Sequence, residues 1–217
     1  MYINMESLKK LASQCELPEP PQNIIQSTKE HYIQKLLITG YEDRVGKSDK
    51  IAEYFARYWI AKEYEEYKPE RRGLYLVGDN GTGKTMALER LAALFKLPFF
   101  TAQELTEKFA IGGDTVVMGI IEECKSSDII IDDLGFERNT SYYGNSGIMV
   151  SVLANRYNLW KLSGIRTHYS SNCDEESLLN LYGIRIVSRL SEQCAVISLT
   201  GEDQRRLGKP PLTNKRT

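Results

Sequence analysis

The chain has 217 residues and a formal net charge of −1, from 28 basic and 29 acidic side chains. That length is enough for one α/β domain with a modest extension. Near-neutrality excludes a global field that recruits nucleic acid, so any DNA contact has to come from a local patch. Cys15, Cys124, Cys173 and Cys194 show no C-x-x-C spacing, and there are only 2 histidines. This argues against a zinc site and for reduced thiols in a cytoplasmic protein. No apolar run reaches the ~18 residues of a spanning helix, and no basic-then-apolar leader pattern opens the chain.

In chain order, residues 1–30 hold one short predicted helix, Glu6 to Cys15, followed by a linker marked by Pro18, Pro20 and Pro21. Residues 48–67 predict a helix capped by Ser48, with Ile51, Phe55, Tyr58 and Trp59 on one face. Gly73 to Val77 is a short apolar strand. Residues 86–95 are strong helix formers, and Leu88, Leu91, Ala92 and Phe95 give them one buried face. Leu97 to Thr101 predicts a second strand. Helices are expected over 102–110 and 115–125, split by Gly112-Gly113. Asp128 to Asp132 is a strand ending in acids. A helix follows over 145–162, with Met149, Val152, Leu153, Tyr157 and Trp160 on one face. Ile165 to Ser171 is a strand, 174–181 and 183–192 are short helices, and Ala195 to Leu199 is the last strand. Strands alternating with helices predict an α/β fold, a central parallel sheet with helices on both faces. In such folds ligands bind beyond the carboxyl ends of the strands.

The first motif lies at such an end. Gly78-Asp79-Asn80-Gly81-Thr82-Gly83-Lys84-Thr85 reads G-x-x-x-x-G-K-T, the phosphate-cradling P-loop (Walker A). Its glycines let the backbone wrap a polyphosphate with N–H groups pointing inward. Lys84 would reach the β- and γ-phosphates, and the Thr85 hydroxyl would hold Mg²⁺. The motif follows a predicted strand and opens a predicted helix, as its mechanism requires, and the helix N-terminus favours anions.

Ile129-Ile130-Ile131-Asp132-Asp133-Leu134-Gly135 is a Walker B-type segment. Its strand would carry Asp132 to the sheet edge to hold Mg²⁺. Asp133 would polarise the attacking water as general base. The plain alternative is a strand ending in an Asp-capped turn. Tyr169-Ser170-Ser171-Asn172 places polar groups at another strand tip. Asn172 is the first candidate to contact the γ-phosphate or the water, with Ser170 and Ser171 behind it; the alternative for Asn172 is a helix cap. Arg185 and Arg189 lie four apart on one helical face. Either would serve a neighbour's γ-phosphate, or form a surface salt bridge with Glu192. Arg205, Arg206, Lys209, Lys215 and Arg216 make a basic cluster near the carboxyl end, read either as a DNA contact or as a solvated tail. Tyr142-Tyr143 would stack on bases or form a simple loop.

These blocks, in this order, resemble the AAA+ ATPases, and more narrowly the DnaC/DnaI helicase loaders and the related IstB-type transposition helpers. The similarity runs from about residue 48 to 208. It is carried by Gly78–Thr85, Ile129–Gly135 with its I-D-D-L-G, Ser170–Asn172, G-x-R-I-x-S-R-L at Gly183–Leu190 and G-E-D-Q-R-R at Gly201–Arg206. The resemblance implies an ASCE-type P-loop domain over 46–208, a Pro-containing extension over 1–45, a basic tail over 209–217 and no separate helical lid. It implies that Lys84 and Thr85 serve nucleotide and Mg²⁺, that Asp132 and Asp133 are the Walker B pair, and that Asn172 is sensor 1. Arg185 and Arg189 cover the arginine finger, and Arg205 is sensor 2 with Arg206 as substitute.

It further implies ATP/ADP with Mg²⁺ as cofactors and slow ATP hydrolysis without a partner. The expected setting is DNA replication: modest, salt-sensitive binding to single-stranded DNA, nucleotide-dependent homo-oligomerisation, a replicative helicase as partner, and no membrane. A transposase partner is the alternative. A P-loop kinase would need an acceptor pocket and a basic lid, and nothing between Phe136 and Asn145 supplies one. A GTPase is disfavoured by the absence of N-K-x-D.

Overall fold

The computed structural model describes residues 18–38, 48–64, 67, 71–139 and 145–201. The expectations for Glu6 to Cys15, Tyr142-Tyr143, Arg205, Arg206 and the basic tail lie outside the described residues. Five strands form one parallel sheet: β1 (Gly73–Gly78), β2 (Phe99–Thr101), β3 (Ile129–Leu134), β4 (Thr167–Ser171) and β5 (Cys194–Leu199). Their order is β2-β3-β4-β1-β5. The helices are α1 (Gln22–Ile38), α2 (Ser48–Glu63), α3 (Lys84–Phe95), α4 (Ala102–Glu123), α5 (Asn145–Ser163), α6 (Glu175–Tyr182) and α7 (Ile184–Gln193). A 3-10 turn spans Phe136–Asn139.

The strands read as nearly unbroken apolar runs because both sheet faces are covered. Leu74, Leu76 and Ile130 join a core with Phe55 and Tyr58 of α2 and Leu88 and Leu91 of α3. Tyr75, Ile129, Ile131 and Tyr169 enter the opposite core, with Leu105 of α4, Met149 and Val152 of α5, and Leu190 of α7. The alternation follows the two-residue period of the strand. Among the described residues no helix is long and apolar enough to cross a membrane.

Two elements differ from the sequence reading: α1 and the end of β3. Helix α1 occupies residues for which no helix was expected. Its first bonds run from the Ile24 and Ile25 amides to the Pro21 carbonyl, so the Pro cluster opens a helix instead of forming only a linker. Proline is compatible with a helix start because its missing N–H has no intrahelical partner there. Tyr32 fastens α1 to the domain, with ring centroids 6.0 Å from both Phe55 and Phe95. The split expected at Gly112-Gly113 is present: α4 is broken at Gly113, whose φ is 67° and ψ −167°. Strand β3 continues past Asp132 to Leu134.

The amino ends of the strands are tied by buried polar groups. Arg156 is fully buried; its guanidinium donates to Thr167 Oγ1 and to the carbonyls of Cys124, Ser127 and Arg166. Asp128 accepts from Tyr58 Oη at 2.7 Å and from the Arg166 amide and guanidinium at 2.7–3.0 Å. His168 is fully buried and accepts the Leu74 amide on Nδ1 at 3.1 Å.

Candidate functional site

The phosphate loop grows out of β1. Gly78 has φ +131°, and a Cβ there would lie 2.1 Å from the Leu199 carbonyl oxygen. The close pairing of β1 with β5 therefore demands glycine at the loop's entrance. Asp79 is anchored to the same edge, its amide donating to the Leu199 carbonyl at 3.2 Å and its carboxylate accepting from the Gly201 amide at 3.2 Å. Thr82 Oγ1 donates to the Asp79 carbonyl at 2.9 Å and closes the loop. Gly83, at φ 90°, is the N-cap of α3 and supplies no side-chain acceptor, which leaves the first amides of α3 available to an anion. The Lys84 ammonium is buried within the loop and donates to the carbonyls of Gly78 at 2.9 Å and Asp79 at 2.6 Å. Thr85, half-buried, follows in the first turn of α3.

The acidic pair arises from an irregularity in β3. Ile131 pairs with Tyr169 and Leu134 with Ser171, so β3 holds one residue more than β4 over that interval. This is a β-bulge, a device that re-aims side chains. In a regular strand Asp132 and Asp133 would face opposite sides. Here Asp133 takes a left-handed φ of 56°, and both residues bond to one side chain. The Ser170 hydroxyl donates to Asp132 Oδ1 and accepts the Asp133 amide at 2.9 Å. Asn172 Nδ2 donates to Asp133 Oδ1 at 3.0 Å. Asp132 is buried, Asp133 half-buried and Asn172 exposed. The capping alternative for Asn172 fails, since Asp174 caps α6 by accepting the Ser177 amide at 2.8 Å.

The sheet order brings loop and acids to one edge. Strand β4 lies between β1 and β3, and Ser171 is level with both Val77 and Leu134. Asn172, next in sequence, therefore emerges between the phosphate loop and the acidic pair. Ser171 itself points back into the structure: its hydroxyl donates to the Leu134 carbonyl at 2.7 Å and accepts the Cys173 amide at 3.0 Å. Beside the loop lies a groove of about 350 Å³ whose lining includes Val77, Gly78, Asp79, Asn172, Leu178 and Val187.

The hard oxygen donors Thr85 and Asp132 suit Mg²⁺, which usually takes one or two carboxylates and completes its shell with phosphate and water. Among the described residues no group of three or more His, Cys, Asp or Glu is placed to hold a metal unaided.

The two arginines have different surroundings. The Arg189 guanidinium lies 4.6 Å from the Tyr157 ring centroid. Glu192, the partner expected for an arginine, accepts from Lys161 Nζ at 2.6 Å and Tyr157 Oη at 2.7 Å. Arg185 is exposed in the first turn of α7, beside Ile184 at 77% exposure. Two features were not foreseen. One is the clip formed by Ser170. The other is a buried contact of Glu137 and Tyr182 with the Gly135 amide, the two donor–acceptor distances from that amide being 2.9 Å. Ser170 is 37 residues from Asp133 and Tyr182 is 45 from Glu137, so no local pattern marks them.

Neither a protein-family model nor a curated protein sequence matches the chain. Solved structures do match. A crystal structure of the DnaC helicase loader is 19% identical, with a TM-score of 0.54 over 73% of this chain and 93% of that one. AMPPCP-bound DnaA from Aquifex aeolicus is 17% identical, with a TM-score of 0.48 over 73% of this chain and 48% of that one. With its parallel five-stranded sheet, its phosphate loop and an acidic strand separated from that loop by β4, the chain shares the fold of the DnaC helicase loader structure.

Proposed function

We propose that this chain is an ATP-dependent DNA replication accessory protein that acts as the helicase loaders do. It binds ATP with Mg²⁺, hydrolyses it slowly alone, assembles with other copies on single-stranded DNA and acts on a replicative helicase in the cytoplasm. One observation carries the reading: Asn172 bonds to Asp133 at the sheet edge that also launches the phosphate loop. A polar sensor beside a carboxylate pair has no simple role in a small-molecule kinase.

The residues divide the work as follows. Amides of Gly81 to Lys84 and the Lys84 ammonium receive the phosphates. Thr85 and Asp132 would hold Mg²⁺, which when bound neutralises charge developing on the phosphates. Asp133 orients the attacking water and accepts its proton, and Asn172 fixes the position of that carboxylate. Arg185, exposed and without an ion-pair partner among the described residues, is offered to the γ-phosphate site of a neighbouring copy. Arg205 contributes as sensor 2 from the carboxyl-terminal segment.

The test is co-purification with ATP and single-stranded DNA, alongside phosphate release measured against protein concentration. A hexameric helicase in the eluate supports the reading, and a transposase would replace it with the transposition-helper alternative. A turnover per chain that stays flat while sedimentation shows assembly would exclude completion of the site in trans.

A further inference from the structure

The arginine corner between α6 and α7 is physically attached to the loop that follows the acidic pair. Gly135 lies two residues beyond Asp133. Its amide donates to Glu137 Oε2 and to Tyr182 Oη, both at 2.9 Å. The Tyr182 hydroxyl in turn donates to Glu137 Oε1. Tyr182 is the last residue of α6; Gly183, Ile184 and Arg185 come directly after it. Glu137 and Tyr182 are 3% and 5% exposed. Burial, together with the Glu137 carboxylate, pushes the Tyr182 hydroxyl well above its ordinary pKa and keeps it a donor.

A buried carboxylate is costly unless it is fully hydrogen-bonded. The corner and the loop therefore hold each other: separating them strands Glu137 with one donor fewer in a dry site. Burial of this kind is unnecessary for joining two surface turns, which a few apolar contacts would do. Charge-assisted hydrogen bonds instead give the contact a fixed geometry.

We propose that Glu137 and Tyr182 are a positioning pair that couples the acidic loop to the arginine corner, so that where Arg185 is offered to a neighbour depends on the nucleotide site of its own chain. The inference rests on the reading of the chain as a hydrolase completed in trans. Neither residue touches the phosphates; each acts through Arg185.

The experiment uses the full chain and donor-only copies carrying Asp133→Asn, which cannot hydrolyse but retain Arg185. Added in excess to a fixed amount of wild type, they should raise wild-type turnover about tenfold or more. Copies with Asp133→Asn and Tyr182→Phe together should give less than about a third of that rise, and copies with Asp133→Asn and Glu137→Gln should do the same. The single Tyr182→Phe variant should bind ATP within about twofold of wild type by calorimetry, with an unchanged single-turnover rate when dilute. Equal stimulation by the donors with and without Tyr182→Phe overturns the inference. So does a parallel loss of ATP affinity and dilute turnover, which a merely structural role would cause. Should Tyr182→Phe fail to fold, Glu137→Gln decides by the same readings. If Asp133→Asn donors assemble with wild type yet stimulate nothing, completion in trans is itself wrong and the inference falls with it.

Discussion

The Ser170 hydroxyl sits between two consecutive acids, donating to the carboxylate of Asp132 and accepting the backbone amide of Asp133. One small side chain on β4 thus holds the bulge that lets neighbouring residues of β3 serve the same edge. Ser170→Ala leaves a buried carboxylate and a strand amide each short of a partner, at a cost of about 1–3 kcal/mol. Urea titration should show this as a lower midpoint with an unchanged slope. Affinity for ATP should fall more with Mg²⁺ than without it. A variant as stable as wild type would show that the clip is dispensable.

Lys84→Ala should weaken ATP binding by at least about 30-fold, roughly 2 kcal/mol. Gly78→Ala should do the same by another route, because the added methyl meets the Leu199 carbonyl at 2.1 Å and the left-handed φ is strained. Calorimetry with ATP and Mg²⁺ reads both, and retention of full affinity by either variant would move the nucleotide away from this loop.

Arg185 and Arg189 should separate kinetically. Arg185→Ala is expected to remove the rise of turnover with protein concentration, a loss of 10³-fold or more if the residue is a full arginine finger. Arg189→Ala loses a cation–π contact with Tyr157 of about 0.5–1 kcal/mol and should change turnover by less than about threefold. The reverse ranking in a steady-state assay would assign the finger to Arg189.

His168 predicts acid sensitivity. Burial holds its pKa down at about 3, while the unfolded chain takes up the proton near the ordinary value of about 6.5. Between those values the unfolded state binds one more proton, so stability falls as pH falls, by up to ~1.4 kcal/mol per pH unit. Asp128 adds to the loss at lower pH. Burial alone would raise its pKa, but the Arg166 guanidinium and the Tyr58 hydroxyl outweigh that and hold it below the usual carboxylate range. Its contribution is present above that range and disappears as the pH drops through the folded value. His168→Asn, which keeps an acceptor for the Leu74 amide, should flatten the dependence between pH 6.5 and 4.5 in thermal melts. An unaltered slope would place the titrating group elsewhere.

Tyr32→Ala should destabilise the domain by about 3 kcal/mol, since it empties a buried site between α1, α2 and α3. One cooperative transition at a lower midpoint is expected, because α1 shares the core of α2. A loss confined to local amide protection in α1, with the global midpoint unchanged, would make the helix an appendage.

The amino-acid sequence by itself determined the alternation of strands and helices, the phosphate loop, the acidic strand and the polar tip at Asn172. These are legible because their chemistry lies in neighbouring residues: glycines that allow a tight turn, apolar runs with strand or helix period, carboxylates at a run's end. Only the tertiary structure decided that α1 exists as a docked helix, because Ile25 and Tyr32, buried among its described side chains, do not by themselves make a clear apolar stripe. The same holds for the bulge at Asp132-Asp133, the clip by Ser170, the separation of Arg185 from Arg189, and the contact of Glu137 with Tyr182. Each depends on register or on partners dozens of residues away. Short-range pattern carries no information about which strand lies beside which, and hydrogen bonds formed across that gap are specified only when the whole chain closes.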